Sequence, residues 1–426
     1  MSSTRPIHED LVIQACLEVY AAVRHQKKLA DRALDSNLRA KKNLYAQERR
    51  IIAERVYGLL RHERLIDALL GQSGPTFSKL PEGHQDLARF LLSRIVHGES
   101  TAEVLKRTRP PGEIRTLIEA IEGVPLNLGA VDEAKKLAIR SSIPDFLAEK
   151  FLTQYGPQAQ ALAESMNARA PLTIRCNTLK IGRDELKLRL RSEGVESKVT
   201  PRSEFGLFLE TRLNAFALPS FKEGLFEIQD EGSQLLGALV DAPPTRVADA
   251  CAGAGGKTLQ LAAQMKNRGE LFALDIEDYR MDELRRRARR AGVHNVRTHL
   301  LPVVPEEADA FVRTLGATMD RVLVDAPCSG TGTFRRKPDA RYRLKPEDIP
   351  MFTEKQKSLL HRFSALVKPK GRLVYGTCSL LREENQDVVS WFLDNHPAFK
   401  LRGSFLQLTP LQHGTDGFFG AVFDKT

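Results

Sequence analysis

The sequence predicts a multidomain chain ending in an α/β, Rossmann-like sheet, preceded by an all-α domain and a small α+β module. Three observations carry that prediction. Residues 1–140 place their apolar residues at helical spacing only, residues 141–230 mix short strands with one amphipathic helix, and residues 231–426 alternate β-branched runs with helical stretches. A chain of 426 residues has room for two or three domains. Its 64 Lys and Arg against 54 Asp and Glu leave a net charge of +10, which favours a polyanionic partner, nucleic acid first. Five Cys with no C-x-x-C pair speak against a disulfide framework and a zinc site and suit a reducing compartment, so a cytoplasmic protein without a metal is expected. The opening MSSTRPIHED has no apolar core, and no run approaches the ~20 apolar residues that cross a bilayer, so no membrane partner is expected.

In the first region Ile13, Cys16, Leu17 and Tyr20 recur at helical spacing, as do Ile52, Val56, Leu59 and Leu60, and again Ile114, Leu117, Ile118 and Ile121. Gly and Pro break the pattern at GQSGP (71–75), RPPGE (109–113) and EGVPLNLG (122–129). Arg24, Lys27, Lys28, Arg32, Arg39, Lys41, Lys42, Arg49 and Arg50 either follow a phosphate backbone or form a solvated helix face. Cys16 lies on the apolar stripe and reads as a core thiol. In the middle module PLTIRCNTL (171–179), FGLFLE (205–210) and GLFEIQ (224–229) read as strands, with a structural Cys176 in the first. GRDELKLRLRSEG (182–194) reads as a helix closed by Gly194. Such an RRM-like module can offer a sheet face to RNA, although the K/R-G-F/Y-G/A-F-V-x-F/Y signature is absent.

The last region carries the chemistry. TRVADA (245–250), GELFALDI (269–276), NVRTHLL (295–301), DRVLVDA (320–326) and GRLVYGT (371–377) read as strands, and stretches near 399–406 and 417–423 are expected to close the sheet antiparallel. DRVLVDAPCSGTG (320–332) and GRLVYGTCSL (371–380) each end in a small-residue turn bearing a cysteine, Cys328 and Cys378. Ligands of open α/β sheets bind at the carboxyl ends of strands, so both thiols and Asp325 are expected in one crevice. Neither motif holds a His or Ser partner of the protease kind. At the first strand end, DACAGAGGKT (249–258) is a Gly-rich turn that lets backbone N–H groups approach a ligand. A P-loop needs Gly where Cys251 stands, which disfavours ATP and leaves Cys251 to pack beneath the turn. Asp275 ends the second strand about 20 residues later, the distance at which a carboxylate takes ribose hydroxyls. The pair points to an adenosine-containing ligand.

Two thiols beside such a pocket suit one problem in particular. Carbon 5 of a pyrimidine is a poor nucleophile until a thiolate adds at carbon 6 and converts the ring to an enamine. A thiol with an ordinary pKa of ~8.5 needs help to ionise, and Lys257 is the only nearby motif cation. Asp325 is placed to hydrogen-bond N3 and the exocyclic amine of cytosine. The second cysteine then removes the carbon 5 proton, directly or through water. Chemistry alone leaves open which thiol has which role.

DRVLVDAPCSG (320–330), YGTCSL (375–380) and CAGAGGKT (251–258), with QDEGSQ (229–234), RRKPD (335–339) and TDGFFGAVF (415–423), closely resemble the S-adenosylmethionine-dependent RNA cytosine-5 methyltransferases. DRALD (31–35) and ERVYGLLR (54–61) look like the NusB-like domain of the bacterial Sun/RsmB-type enzymes. The resemblance implies a class I methyltransferase fold, S-adenosylmethionine as cofactor, and 16S ribosomal RNA as partner, with no DNA and a monomeric enzyme. It implies Cys378 as nucleophile and Cys328 as the residue that assists product release, with Asp325 and Lys257 beside them. Cofactor contacts are implied for Cys251, Ala252, Gly253, Ala254, Gly255, Gly256, Lys257, Asp275 and, in part, Asp325. In DNA cytosine-5 methyltransferases the proline-cysteine motif supplies the nucleophile, so the presence of both motifs implies RNA.

Two departures accompany the resemblance. Gly253 and Ala254 stand where the family reads Ala-Pro, and the acid usual after the third strand has no counterpart before Glu306. In RRKPDARYR (335–343) the side chains of Arg335, Arg336 and Lys337 are expected to flank the target base, with Tyr342 stacking. RRRARR (285–290) either grips phosphates or forms the outer face of a helix. Two other readings stay open: an RNA-binding ribosome assembly factor that has lost turnover, permitted by the missing acid, and a NAD-dependent oxidoreductase, which leaves two strand-end cysteines unexplained.

Overall fold

The computed structural model describes residues 7–211 and 213–426, so the first part of the stretch read above for a leader lies outside the described residues. The chain forms two compact units, one running to Ala168 and including Phe334–Lys345, the other comprising Arg169–Thr333 and Pro346–Thr426. No helix among the described residues is long and apolar enough to cross a membrane.

The first unit is helical. Its main helices are Glu9–Arg24, Ala30–Ala40, Ala46–Gly71, Glu82–Val96, Thr101–Thr108 and Gly112–Ile121, followed by Glu133–Ser141, Asp145–Tyr155 and Ala159–Ser165. The breaks fall where Gly and Pro predicted them: Gly74 has a positive φ before Pro75, and Arg109 takes the left-handed conformation before Pro110 and Pro111. Cys16, Tyr20, Ile52, Val56, Leu59, Ile114 and Ile118 form one buried cluster. Burial pushes the Cys16 thiol up to about 12, as suits a core residue. The unit extends past the boundary expected near 140, because Leu147, Ala148, Phe151, Leu162 and Ala163 bury an apolar face against Glu133–Ser141.

Phe334–Lys345 is part of this helical unit, which alters the reading of RRKPDARYR. Arg341 is fully buried. Its guanidinium donates to the carbonyls of Arg61 (3.2 Å), Ser141 (3.0 Å) and Met166 (3.3 Å) and to Asn167 Oδ1 (2.6 Å). Asp339 accepts from Ala30 N (3.1 Å) and Arg343 (2.6 Å), and the Tyr342 hydroxyl donates to Leu60 O (2.7 Å). Burial without a facing carboxylate lowers Arg341 to about 10. The segment therefore reads first as a clasp held by backbone carbonyls.

The second unit holds two sheets. The small one has strand order β2-β3-β1-β4, all antiparallel, with β1 Leu172–Cys176, β2 Ser197–Val199, β3 Gly206–Leu209 and β4 Phe226–Ile228. The large one is built from β5 Arg246–Asp249, β6 Glu270–Asp275, β7 Val296–Leu300, β8 Met319–Asp325, β9 Val367–Thr377, β10 Phe399–Leu401, β11 Leu406–Leu408 and β12 Phe418–Lys425. Its order is β10-β12-β9-β8-β5-β6-β7, with β11 also on β12. Strands β5 to β9 are parallel, and β12 returns antiparallel to β9. Val322, Leu323 and Val324 of β8 and Leu373, Val374 and Tyr375 of β9 are all buried, as strands covered on both faces must be. The Rossmann-like class is therefore as predicted. The chain starts in the middle at β5, winds outward through β6 and β7, then crosses back to β8 on the other side of β5. That reversal puts a crevice at the carboxyl ends of β5 and β8.

The small module and the large sheet pack within one compact unit. Arg175 of β1 is buried and donates to Gly256 O (2.9 Å) and Gln260 Oε1 (3.3 Å), while Asn177 donates to Gly224 O and Ala291 O (both 2.8 Å). Buried polar side chains thus tie the two sheets together.

Candidate active site

The crevice is lined by the turns that leave β5, β6, β8 and β9. Asp325 pairs in register with Gly376, and Ala326 N donates to Gly376 O (2.8 Å). Cys328 lies three residues beyond Asp325 and Cys378 two beyond Gly376, so adjacent parallel strands deliver both turns to one place. The two sulfurs are 3.4 Å apart. Beyond the last ladder bond the turns bond to each other: Gly332 N donates to Cys378 O (2.9 Å), and Leu380 N donates to Thr331 Oγ1 (2.8 Å). Gly332 must be glycine, because a Cβ there would lie 2.3 Å from Gly417 O.

The Cys328 thiol is held well above its ordinary range, first by the hydrogen bond it shares with Cys378 and then by burial. Lys257 Nζ lies 2.7 Å from Asp325 Oδ2 and 5.4 Å from the centre of the Phe418 ring. The motif cation thus pairs with the carboxylate. Cys251 packs against the core, and burial followed by nearby carboxylates pushes its thiol well up.

The turn after β5 fits a nucleoside-type cofactor. Gly253 has φ +53° and faces open space, and Gly255 has φ +88° with Leu284 so close that a Cβ would meet it at 2.7 Å. Asp275 is mostly buried, accepts from Gly253 N (2.8 Å) and Glu277 N (3.0 Å), and keeps lone pairs for a ribose. Arg287 secures the turn from behind: it donates to Ala254 O (2.7 Å) and pairs with buried Glu227 (2.9 Å), which Arg290 also contacts. Within RRRARR these two arginines are structural, and Arg285 and Arg286 pair with Asp282 and Glu283 on their own helix. Asp249, Asp275 and Asp325 all act on one another or on Cys251 through space, with Lys257 as the motif cation among them. Asp275 beside the glycine turn is placed for the ribose of an adenosine-containing cofactor.

Of the residues predicted from sequence, the structure brings Cys328, Cys378, Asp325, Lys257, Cys251–Lys257 and Asp275 to the ends of neighbouring strands. Arg335, Arg336 and Lys337 belong to the helical unit, where Arg335 is buried, Arg336 half-buried and Lys337 exposed. Sequence reasoning missed Glu384, Gln356, Arg287 and the buried carboxyl of Asp249. No signal separates Glu384 from Glu383 in the sequence, because only the fold decides which one faces inward. No group of three or more His, Cys, Asp or Glu able to hold a metal occurs among the described residues.

A family model described as 16S rRNA methyltransferase RsmB/F matches residues 238–424, and one described as an RsmF/B-like ferredoxin-like domain matches 143–215. The "probable ribosomal RNA small subunit methyltransferase B" of Bacillus subtilis is 30% identical over 447 residues, covering 96% of this chain and 97% of that protein. The chain belongs to the RsmB/F methyltransferase family. Among solved structures, that of the protein PH0851 is 27% identical with a TM-score of 0.80, covering 99% of this chain and all of the other. A methyltransferase homologue from Pyrococcus horikoshii is 30% identical with a TM-score of 0.62, over 70% of this chain and all of that one. This RsmB/F-type chain is therefore an S-adenosylmethionine-dependent RNA methyltransferase, and the crevice built from β5, β6, β8 and β9 is its candidate active site.

Proposed function

We propose that the enzyme methylates carbon 5 of a cytosine in 16S ribosomal RNA, working as a cytoplasmic monomer, through a transient bond between Cys378 and carbon 6. What carries the reading is the 3.4 Å approach of two sulfurs from separate strand ends, next to an ion-paired carboxylate. S-adenosylmethionine, when bound, supplies the electrophilic methyl group. Cys251–Gly256 and Asp275 hold it on one side of the crevice. Asp325, ion-paired with Lys257, accepts from the exocyclic amine of the cytosine and orients the ring. The Cys378 thiolate adds to carbon 6, which makes carbon 5 nucleophilic.

Cys328 acts last. Before the adduct forms, the hydrogen bond to Cys378 and the charge of that neighbour hold the Cys328 thiol above its ordinary range. Once Cys378 is tied up in the carbon–sulfur bond, both influences are gone, and Cys328 can release its proton through water and accept the one leaving carbon 5. Those electrons re-form the ring double bond and expel the Cys378 thiolate. Lys337 and the exposed basic residues of the helical unit supply phosphate contacts.

The test is a pair of substitutions. Cys378→Ala should abolish methylation and give no RNA adduct, whereas Cys328→Ala should accumulate an adduct stable to denaturing electrophoresis. A fully active Cys378→Ala enzyme rejects the assignment. Bisulfite sequencing of ribosomal RNA from a deletion strain locates the cytosine.

A further inference from the structure

Each of the two cysteines is followed directly by a serine, Ser329 and Ser379, and both hydroxyls donate to one carboxylate, that of Glu384. The same carboxylate accepts from Ser329 N (2.8 Å) and from Gln356 Nε2 (3.0 Å), and the Gln356 amide also donates to Pro327 O (3.0 Å). Glu384 is fully buried on the single-turn helix Arg382–Glu384, and Gln356 is fully buried on the helix Asp348–Ser364. A carboxylate is costly to bury unless hydrogen-bonded, and every donor around this one comes from a cysteine turn or from the side chain that braces it. The β8–β9 ladder ends at Ala326, so it cannot by itself set where Cys328 and Cys378 stand. Asn385 completes the brace by accepting from Thr377 Oγ1 (2.6 Å) and donating to Ser379 O (3.0 Å).

We infer that Glu384 is a positioning residue, whose carboxylate joins the Cys328 and Cys378 turns through their serines and so sets the spacing of the two sulfurs around the cytosine. The inference rests on the two-thiol reading above, and its test includes a readout that does not depend on that reading. The amide of Glu384→Gln presents an N–H where Ser329 and Ser379 supply donors, so at least one turn must swing away while the volume stays the same. The experiment compares the parent and E384Q in three measurements: kcat on RNA, calorimetric affinity for S-adenosylhomocysteine, and the rate at which the oxidant diamide closes a Cys328–Cys378 disulfide, followed by mass spectrometry. Expected are a kcat lower by about a hundredfold, disulfide closure slower by about tenfold, and cofactor affinity within about twofold, because misplacing reacting groups by ~1 Å has that scale of effect. Disulfide closure and kcat equal to the parent's overturn the inference, as does a loss of cofactor affinity in step with kcat, which marks general loosening. Slower closure in E384Q, with a parent that forms no adduct with 5-fluorocytosine RNA, upholds the positioning role and overturns the proposed reaction.

Discussion

Replacing Asp249 by Asn should change how stability depends on pH. Asp249 ends β5 and is 1% exposed; its Oδ2 accepts from Thr258 Oγ1 (2.7 Å), while its Oδ1 has no hydrogen-bond partner. Burial first, with Asp325 and Asp275 adding to it, pushes the carboxyl from 3.8 up to about 7. The folded chain therefore keeps this proton to near neutrality, whereas the unfolded chain releases it near 3.8. The contribution is full below the unfolded value and is lost as pH rises through the folded one, the reverse of the usual salt-bridged Asp. At 1.36 kcal/mol for each pH unit in that window, moving from pH 5 to pH 8 costs the parent about 2–3 kcal/mol. Asp249→Asn keeps an oxygen for Thr258 and has nothing to titrate, so its stability relative to the parent should grow by that amount. The assay is urea unfolding followed by fluorescence of Trp391, the single tryptophan, which packs against the core of the same unit. Equal pH dependence of the two proteins would refute the reasoning.

Other perturbations bear on different parts of the molecule. Arg287→Ala frees the carbonyl of Ala254 and should weaken S-adenosylhomocysteine binding by roughly tenfold, since a charged hydrogen bond contributes about 1.5–3 kcal/mol; calorimetry with unchanged affinity would reject its role in the turn. Arg341→Ala leaves several buried carbonyls unpaired and should destabilise the helical unit by about 3 kcal/mol, read as faster hydrogen exchange in Phe334–Lys345. RNA affinity should fall with salt at a log–log slope of about −0.7 per phosphate neutralised, and a flat dependence would remove the basic surface from the account.

The parts legible in the sequence were those whose cause is local. Runs such as VLV (322–324) and LVY (373–375) carry no polar alternation, which suits a strand covered on both faces, and each leads into a small-residue turn that backbone sterics permit. The positions of Cys328, Cys378 and Asp275 followed from strand ends alone. In RRKPDARYR a basic run looks the same whether water or carbonyl oxygens surround it, and the burial of Arg341 depends on acceptors the helical unit offers from Arg61, Ser141 and Met166. RRRARR likewise gave no sign that Arg287 and Arg290 would share the buried Glu227.

By itself, the sequence determined the helical and α/β regions, the order of strands along the chain, and which residues stand at strand ends, since periodicity and turn chemistry depend on near neighbours. Only the tertiary structure decided that two sulfurs lie 3.4 Å apart, that Lys257 pairs with Asp325, and that one carboxylate at Glu384 binds both cysteine turns. The reason is that burial and hydrogen-bond partners belong to residues brought together from far along the chain, and no local pattern records which of several identical side chains will meet them.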